Sequence, residues 1–184
     1  MFDQEVLHED FELTVNTMAI VPVPYGGRIY SKIFEIDDEY VVPEKPIDII
    51  KKSCRFYASS FEGRREGTKE LIGITHKSPI VIDPVSSIYF FPTTSPNRPD
   101  CCWFSLEHVQ GFFRKGNKET EVLLSNKQTL SVPISANSFR SQYQRTSLLQ
   151  TKMQQRLLES ERRSKHLFHD WQLEALERKR FYRF

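Results

Sequence analysis

Between residues 11 and 42 apolar and polar positions alternate. ELTVNTMAIVPV runs with a period near two and is rich in β-branched residues, Gly26-Gly27 interrupts it, and GRIYSKIFEI resumes the alternation. A period of two sends successive side chains to opposite faces, so the pattern predicts two strands joined by a tight turn. Asp37-Asp38 then opens a second turn before a short strand at EYVV. From residue 46 the spacing changes to that of a helix. Pro46 suits a first helical position, Asp48 favours the positive end of the helix, and Ile47, Ile50, Cys54 and Tyr57 share one face. These positions predict one amphipathic helix over about 46–59. Gly63 and Gly67 are expected to end it and to bracket a loop, GRREG.

Short apolar pieces follow: LIGIT, PIVID, SIYFFPT and CCWFS, with TTSPNRP as a surface loop. They predict strands of a twisted sheet. EHVQGFFRK adds another strand, and ETEVLL and TLSVPI flank Ser125-Asn126-Lys127-Gln128 as a hairpin. After residue 134 the chain reads as helix, over about 136–181. Ser135 or Asn137 is placed to cap it, and Leu149, Met153 and Leu157 lie four apart. The apolar spacing lapses at ESERRSKH (159–166), which predicts a break, a hinge or a solvated bridge there. The fold class expected is α+β: a mostly antiparallel twisted sheet or barrel-like core over 1–134, then a helical segment over 135–184.

Composition narrows the class. The 184 residues are 39% apolar with a mean hydropathy of −0.50, which matches an ordinary soluble core. No apolar run reaches the roughly 18 residues of a membrane helix. The acidic start MFDQEVLHEDFEL lacks a secretory signal pattern, and three cysteines do not make a disulfide framework. A soluble, cytoplasmic protein is expected. The net charge of +2 conceals an uneven distribution. Residues 1–50 hold three basic and eleven acidic residues, a net of −8, and residues 51–184 hold 23 basic and 13 acidic, a net of +10. A basic part of that size attracts polyanions.

The basic residues gather in three places. Residues 51–69 carry Lys51, Lys52, Arg55, Arg64, Arg65 and Lys69 against two glutamates; Lys77 and Arg98 stand in THKSP and NRPD; and residues 135–158 hold Arg140, Arg145, Lys152 and Arg156 with no acidic residue. Serine, threonine and glutamine fill that last stretch, and all can donate to phosphate oxygens. A solvated helix face, or arginines lining an oligomer interface, would give the same composition. Cys54 with His76 or His108 could form a thiol–imidazole pair, but cysteine on an apolar helix face is usually a small buried hydrophobe. Zinc would need four convergent ligands among Cys54, Cys101, Cys102, His76 and His108, and no CxxC or HxxxH spacing exists. No P-loop lysine or GxGxxG occurs, so neither catalysis nor a cofactor or metal is expected. Phe56, Tyr57, Phe61, Tyr89, Phe90, Phe91, Trp103 and Phe104 could form a stacking platform for single strands, or a core.

The chain resembles the bacterial competence transcription factor ComK family in SCRFYASSFEGRREGT (53–68), ITHKSPIVIDP (74–84), IYFFPT (88–93), RPDCCW (98–103), VPISANSF (132–139) and QRTSLLQTKMQQR (144–156). The blocks are long, keep their order and span roughly residues 15–158. The resemblance implies a DNA-binding activator of competence and DNA-uptake genes, and no enzyme. It implies recognition of AT-rich boxes mainly through the minor groove, as dimers on paired boxes, with RNA polymerase and an adaptor of a Clp-type protease as further partners and a place at the nucleoid. A-tracts have narrow, strongly negative minor grooves into which arginine inserts. The expected DNA contacts are Arg64 and Arg65 in the groove, with Lys52, Arg55, Lys69, Lys77, Arg98, Arg140 and Arg145 on phosphates. Both ends depart from the family pattern: the acidic start to about residue 11, and the tail beyond about 158. The other readings are a single-strand or RNA binder, and a protein-interaction module whose basic helix takes an acidic partner.

Overall fold

A computed structural model describes the backbone of residues 11–181 and the side chains of residues 11–165. The elements run β1 (Thr17–Tyr25), β2 (Arg28–Glu35), β3 (Glu39–Val42), α1 (Pro46–Phe56), α2 (Phe61–Ile72), β4 (Ile80–Asp83), β5 (Ile88–Pro92), β6 (Trp103–Ser105), β7 (Val109–Arg114), β8 (Thr120–Leu124), β9 (Thr129–Val132) and α3 (Ala136–Phe181). Six strands form one sheet in the order β3-β2-β1-β6-β5-β4, and β7-β8-β9 form a second. Every pairing is antiparallel. The α+β class is as expected, though both sheets stay open and no closed barrel forms among the described residues. No described helix is long and apolar enough to cross a membrane.

The local chemistry explains most boundaries. Tyr25 pairs with Arg28 across Gly26-Gly27, whose φ values of 53° and 77° are those of a two-residue hairpin turn that suits glycine. Ser135, one of the two expected caps, accepts from the Ser138 N–H at 3.2 Å at the start of α3. The helix then runs through 159–166 without a break. Of the expected alternatives there, the solvated stretch is the one observed, with residues 159–165 all exposed.

Period-two alternation puts two cores on the two faces of the large sheet. Ile20, Ile33, Ile82, Phe90 and Trp103 point to one face, where Ile47, Ile49, Ile50 and Cys54 of α1 and Phe61 of α2 cover them. Ala19, Phe34, Phe91 and Phe104 point to the other, against Val109, Val122, Leu124 and Val132 of the small sheet and Phe139 of α3. A sheet buried on both faces explains why its central strands read as continuous apolar runs rather than alternation. Tyr89, Phe90, Phe91, Trp103 and Phe104 are fully buried, the three phenylalanines each contributing on the order of 1.5–3 kcal/mol. The chain divides into two units, Met1–Gln150 and Thr151–Phe184; all nine described strands lie in the first.

Two expectations are overturned. Residues 63–67 are not a loop but the first turns of α2. Ser60 caps that helix by accepting from the Gly63 N–H at 3.0 Å, and Gly73, at φ 71°, ends it. A Cβ on Gly63 would sit 3.0 Å from the Ser60 Oγ, so glycine leaves room for the cap. The two helical glycines cost about 0.5–1 kcal/mol each, which burial of Phe61 and Thr68 offsets. LIGIT is not a strand either: Leu71 and Ile72 close α2, and residues 74–79 are irregular.

Candidate nucleic-acid interface

The helix α2 lies against the edge strand β4. Thr68 donates its hydroxyl to the Pro79 carbonyl at 3.0 Å, and Arg64 donates from Nη2 to the Ile82 carbonyl at 3.3 Å. Arg64 is thus half-buried and turned toward the protein, whereas Arg65 is exposed, with its guanidinium 5.9 Å from the centre of the Phe61 ring. The reaching finger expected of both arginines reduces to Arg65. One helical position separates them, and 100° of rotation sends the neighbours in different directions.

Arg65 and Lys69 line a shallow groove with Ile74, Thr75 and Ser78, and Glu62 and Glu66 share its walls. The adjoining segment carries Lys77, exposed and left-handed at φ 50°. Its carbonyl accepts from Gln142 Nε2 of α3 at 2.8 Å, and Gln142 Oε1 in turn accepts from Arg145 Nη1 at 3.1 Å. Contacts therefore run from α2 through residues 74–79 to α3: Arg65 and Lys69 line the groove beside Ile74, Thr75 and Ser78, and Gln142 links the Lys77 carbonyl of the same segment to Arg145.

The other expected residues make different contacts. Lys52 on α1 pairs with Glu44 at 3.4 Å, and Arg55 is exposed in the last turn of the same helix. Arg98 grips Asp100 through two bonds of 2.9 and 3.0 Å. That hydrogen bonding holds the Asp100 carboxyl below the usual carboxylate range. Arg140 is exposed on α3, bonded to Asn137 Oδ1 at 3.3 Å with its guanidinium over the Phe112 ring. The sequence reading missed Gln142. Its signal was a polar residue on the buried stripe Phe139, Gln142, Thr146, Leu149.

Other chemistry fares differently. Five of the eight aromatics considered as a stacking platform are fully buried, and Phe61 is 6% exposed, so their rings pack on protein. Phe56 is exposed and Tyr57 half-buried. Burial pushes the Cys54 thiol up to about 11 and Cys102 up to about 12, which disfavours the nucleophilic thiolate. The His108 ring is engaged at both nitrogens: Nε2 donates to the Val15 carbonyl at 2.7 Å, and Nδ1 lies 2.8 Å from the Ser125 hydroxyl. Among the described residues no three His, Cys, Asp or Glu side chains converge as a metal site.

No solved structure matches the chain. The family model described as ComK protein matches residues 8–158. A curated relative, the "Competence transcription factor" of Bacillus subtilis (strain 168), is 45% identical over 149 residues, which cover 81% of this chain and 78% of the relative. The matched span takes in α2, the Lys77 segment and the start of α3. With a family model over most of its length and near-half identity to a member, the chain belongs to the ComK family.

Proposed function

We propose that this ComK-family chain is a transcription activator of competence genes that binds double-stranded DNA at AT-rich boxes, mainly through the minor groove. Kinship with a competence transcription factor supports the coarser part, a transcription factor rather than an enzyme. The observation that supports the DNA reading is that α2, which carries Arg65 and Lys69, and α3, which carries Arg145, are both bonded to the segment that carries Lys77. The minor groove distinguishes A·T from G·C and little else, so reading it needs cations fitted to a narrow negative groove rather than a base-edge helix. Arg65 enters the groove on this reading, while Arg55, Lys69, Lys77, Arg140 and Arg145 meet phosphates. Lys52 and Arg98 contribute less, because Glu44 and Asp100 already hold them. Arg64 supports α2. On the same reading the chain works at the nucleoid, self-associates on paired boxes, and meets RNA polymerase and a protease adaptor.

A band-shift titration across a salt series tests the reading, using an AT-box duplex, a G·C-swapped duplex and single strands. The expected result is tight AT-box binding whose log affinity falls with log salt at about 0.9 per phosphate contact. Preference for single strands would favour an RNA or single-strand binder. No salt-dependent affinity for any nucleic acid would favour an acidic protein partner.

A further inference from the structure

Gln142 is 3% exposed, on the inward side of α3. Its Nε2 donates to two carbonyls, those of Lys77 and Pro92, both at 2.8 Å, while its Oε1 accepts from Arg145. Two acceptors on one side and a donor on the other admit a single orientation of the amide. One buried side chain therefore ties the end of β5, the segment carrying Lys77 and the guanidinium of Arg145 together. From these contacts we infer that Gln142 is a positioning residue, which fixes Lys77 and Arg145 as a paired clamp for the duplex backbone. The inference rests on the DNA-binding reading above.

The energetics favour that role over simple packing. A left-handed conformation is strained for a residue with a side chain, so the backbone at Lys77 relaxes unless its surroundings hold it. They hold it from two sides: Gln142 bonds the Lys77 carbonyl, and Thr68 of α2 bonds the Pro79 carbonyl two residues on. An apolar side chain would fill the site but leave the Lys77 and Pro92 carbonyls without this donor. The amide also links the core to the exposed Lys77 and the half-buried Arg145. Cations already held in place lose less freedom on binding a backbone of fixed phosphate spacing.

The test is the salt dependence of AT-box binding by Gln142→Met in the full chain, with Lys77→Ala/Arg145→Ala and the triple variant beside it. Gln142→Met keeps the shape and removes all three bonds. The slope of log affinity against log salt is expected to fall by about 1.8, two contacts at about 0.9 each. The double variant should show the same fall, and the triple no more. Phe139→Leu, a core change on the same helix, should lower stability and leave the slope alone. A Gln142→Met protein that is less stable but keeps the wild-type slope overturns the inference and makes Gln142 merely structural. Should that variant not fold, Gln142→Asn takes its place. It keeps a neutral amide that is one methylene too short to hold all three partners, so the same fall in slope supports the clamp and an unchanged slope refutes it. Wild-type protein without salt-dependent duplex binding refutes the DNA reading itself, and the clamp falls with it.

Discussion

Arg64 donates from Nη2 to the carbonyl of Ile82 at 3.3 Å, so the guanidinium satisfies the backbone of the edge strand β4. One turn further along α2 the Thr68 hydroxyl does the same for Pro79. Exposed strand edges invite pairing with other chains, and covering one with a helix is a standard remedy. The adjacent Arg65 has no such duty and faces outward beside Lys69. Two neighbouring arginines that look alike in sequence are thereby given different work.

Their substitutions should separate accordingly. Arg64→Ala leaves the Ile82 carbonyl without its charged donor and is expected to cost about 1–3 kcal/mol in urea unfolding. The salt slope of DNA binding by the folded fraction should stay put. Arg65→Ala should change stability by no more than about 0.5 kcal/mol and lower the slope by about 0.9. A reversal of the two phenotypes would return Arg64 to the interface.

Much of this fold was legible because local signals agreed with the tertiary outcome. Alternation over 11–42, the paired glycines at 26–27, Pro46 with Asp48, and the 125–128 loop each predict an element that forms. The helix α2 was missed because Gly63 and Gly67 read as breakers. The counter-signals, a serine three residues before Gly63 and a glycine at 73, are a helix cap and a stop that matter only once Phe61 and Thr68 find a core to enter. The clustered cations were visible as composition, but which of them meet depends on non-local contacts. Gln142 and Lys77 lie 65 residues apart, and no periodicity encodes that pairing.

Charge pairing should also grade the phosphate contacts. Lys77→Ala and Lys69→Ala are each expected to lower the salt slope by about 0.9 and to weaken AT-box and G·C-swapped duplexes alike, as backbone contacts do. Arg98→Ala should lower it by less than half as much, since its guanidinium is already bonded to Asp100 at 2.9 and 3.0 Å. The measurement is the same salt series. Equal slopes for all three variants would mean that the Arg98–Asp100 pair opens on binding at no cost.

All three cysteines are buried and free, and burial raises the pKa of each thiol. An aromatic disulfide reagent at pH 8 is therefore expected to label none of them in the native protein within minutes, and all three once denaturant is added. Thiolate fraction and access both fall with burial. Rapid native labelling of one cysteine would point to local opening of its surroundings, around α1 for Cys54 or the 93–102 segment for Cys101 and Cys102.

Acid should weaken the protein through Asp83. Burial works against ionisation of this carboxyl, yet the Ser86 hydroxyl, the N–H groups of Val85 and Ser86, and the nearby Arg64 guanidinium outweigh it and hold the pKa below its ordinary value of 3.8. A carboxyl depressed on folding stabilises the native state fully above the unfolded value, and loses that contribution as pH falls through the folded one. The window is therefore below about pH 4. Asp83→Asn keeps one acceptor oxygen but no charge, so it should be less stable than wild type at pH 7, by about 1 kcal/mol. The gap should close as pH falls toward 2, where wild type has also lost its charge. Urea unfolding at pH 7, 4 and 2 reads this directly. A gap that stays constant or widens in acid would mean that the turn at residues 83–87 is held by shape, with the carboxylate charge contributing nothing.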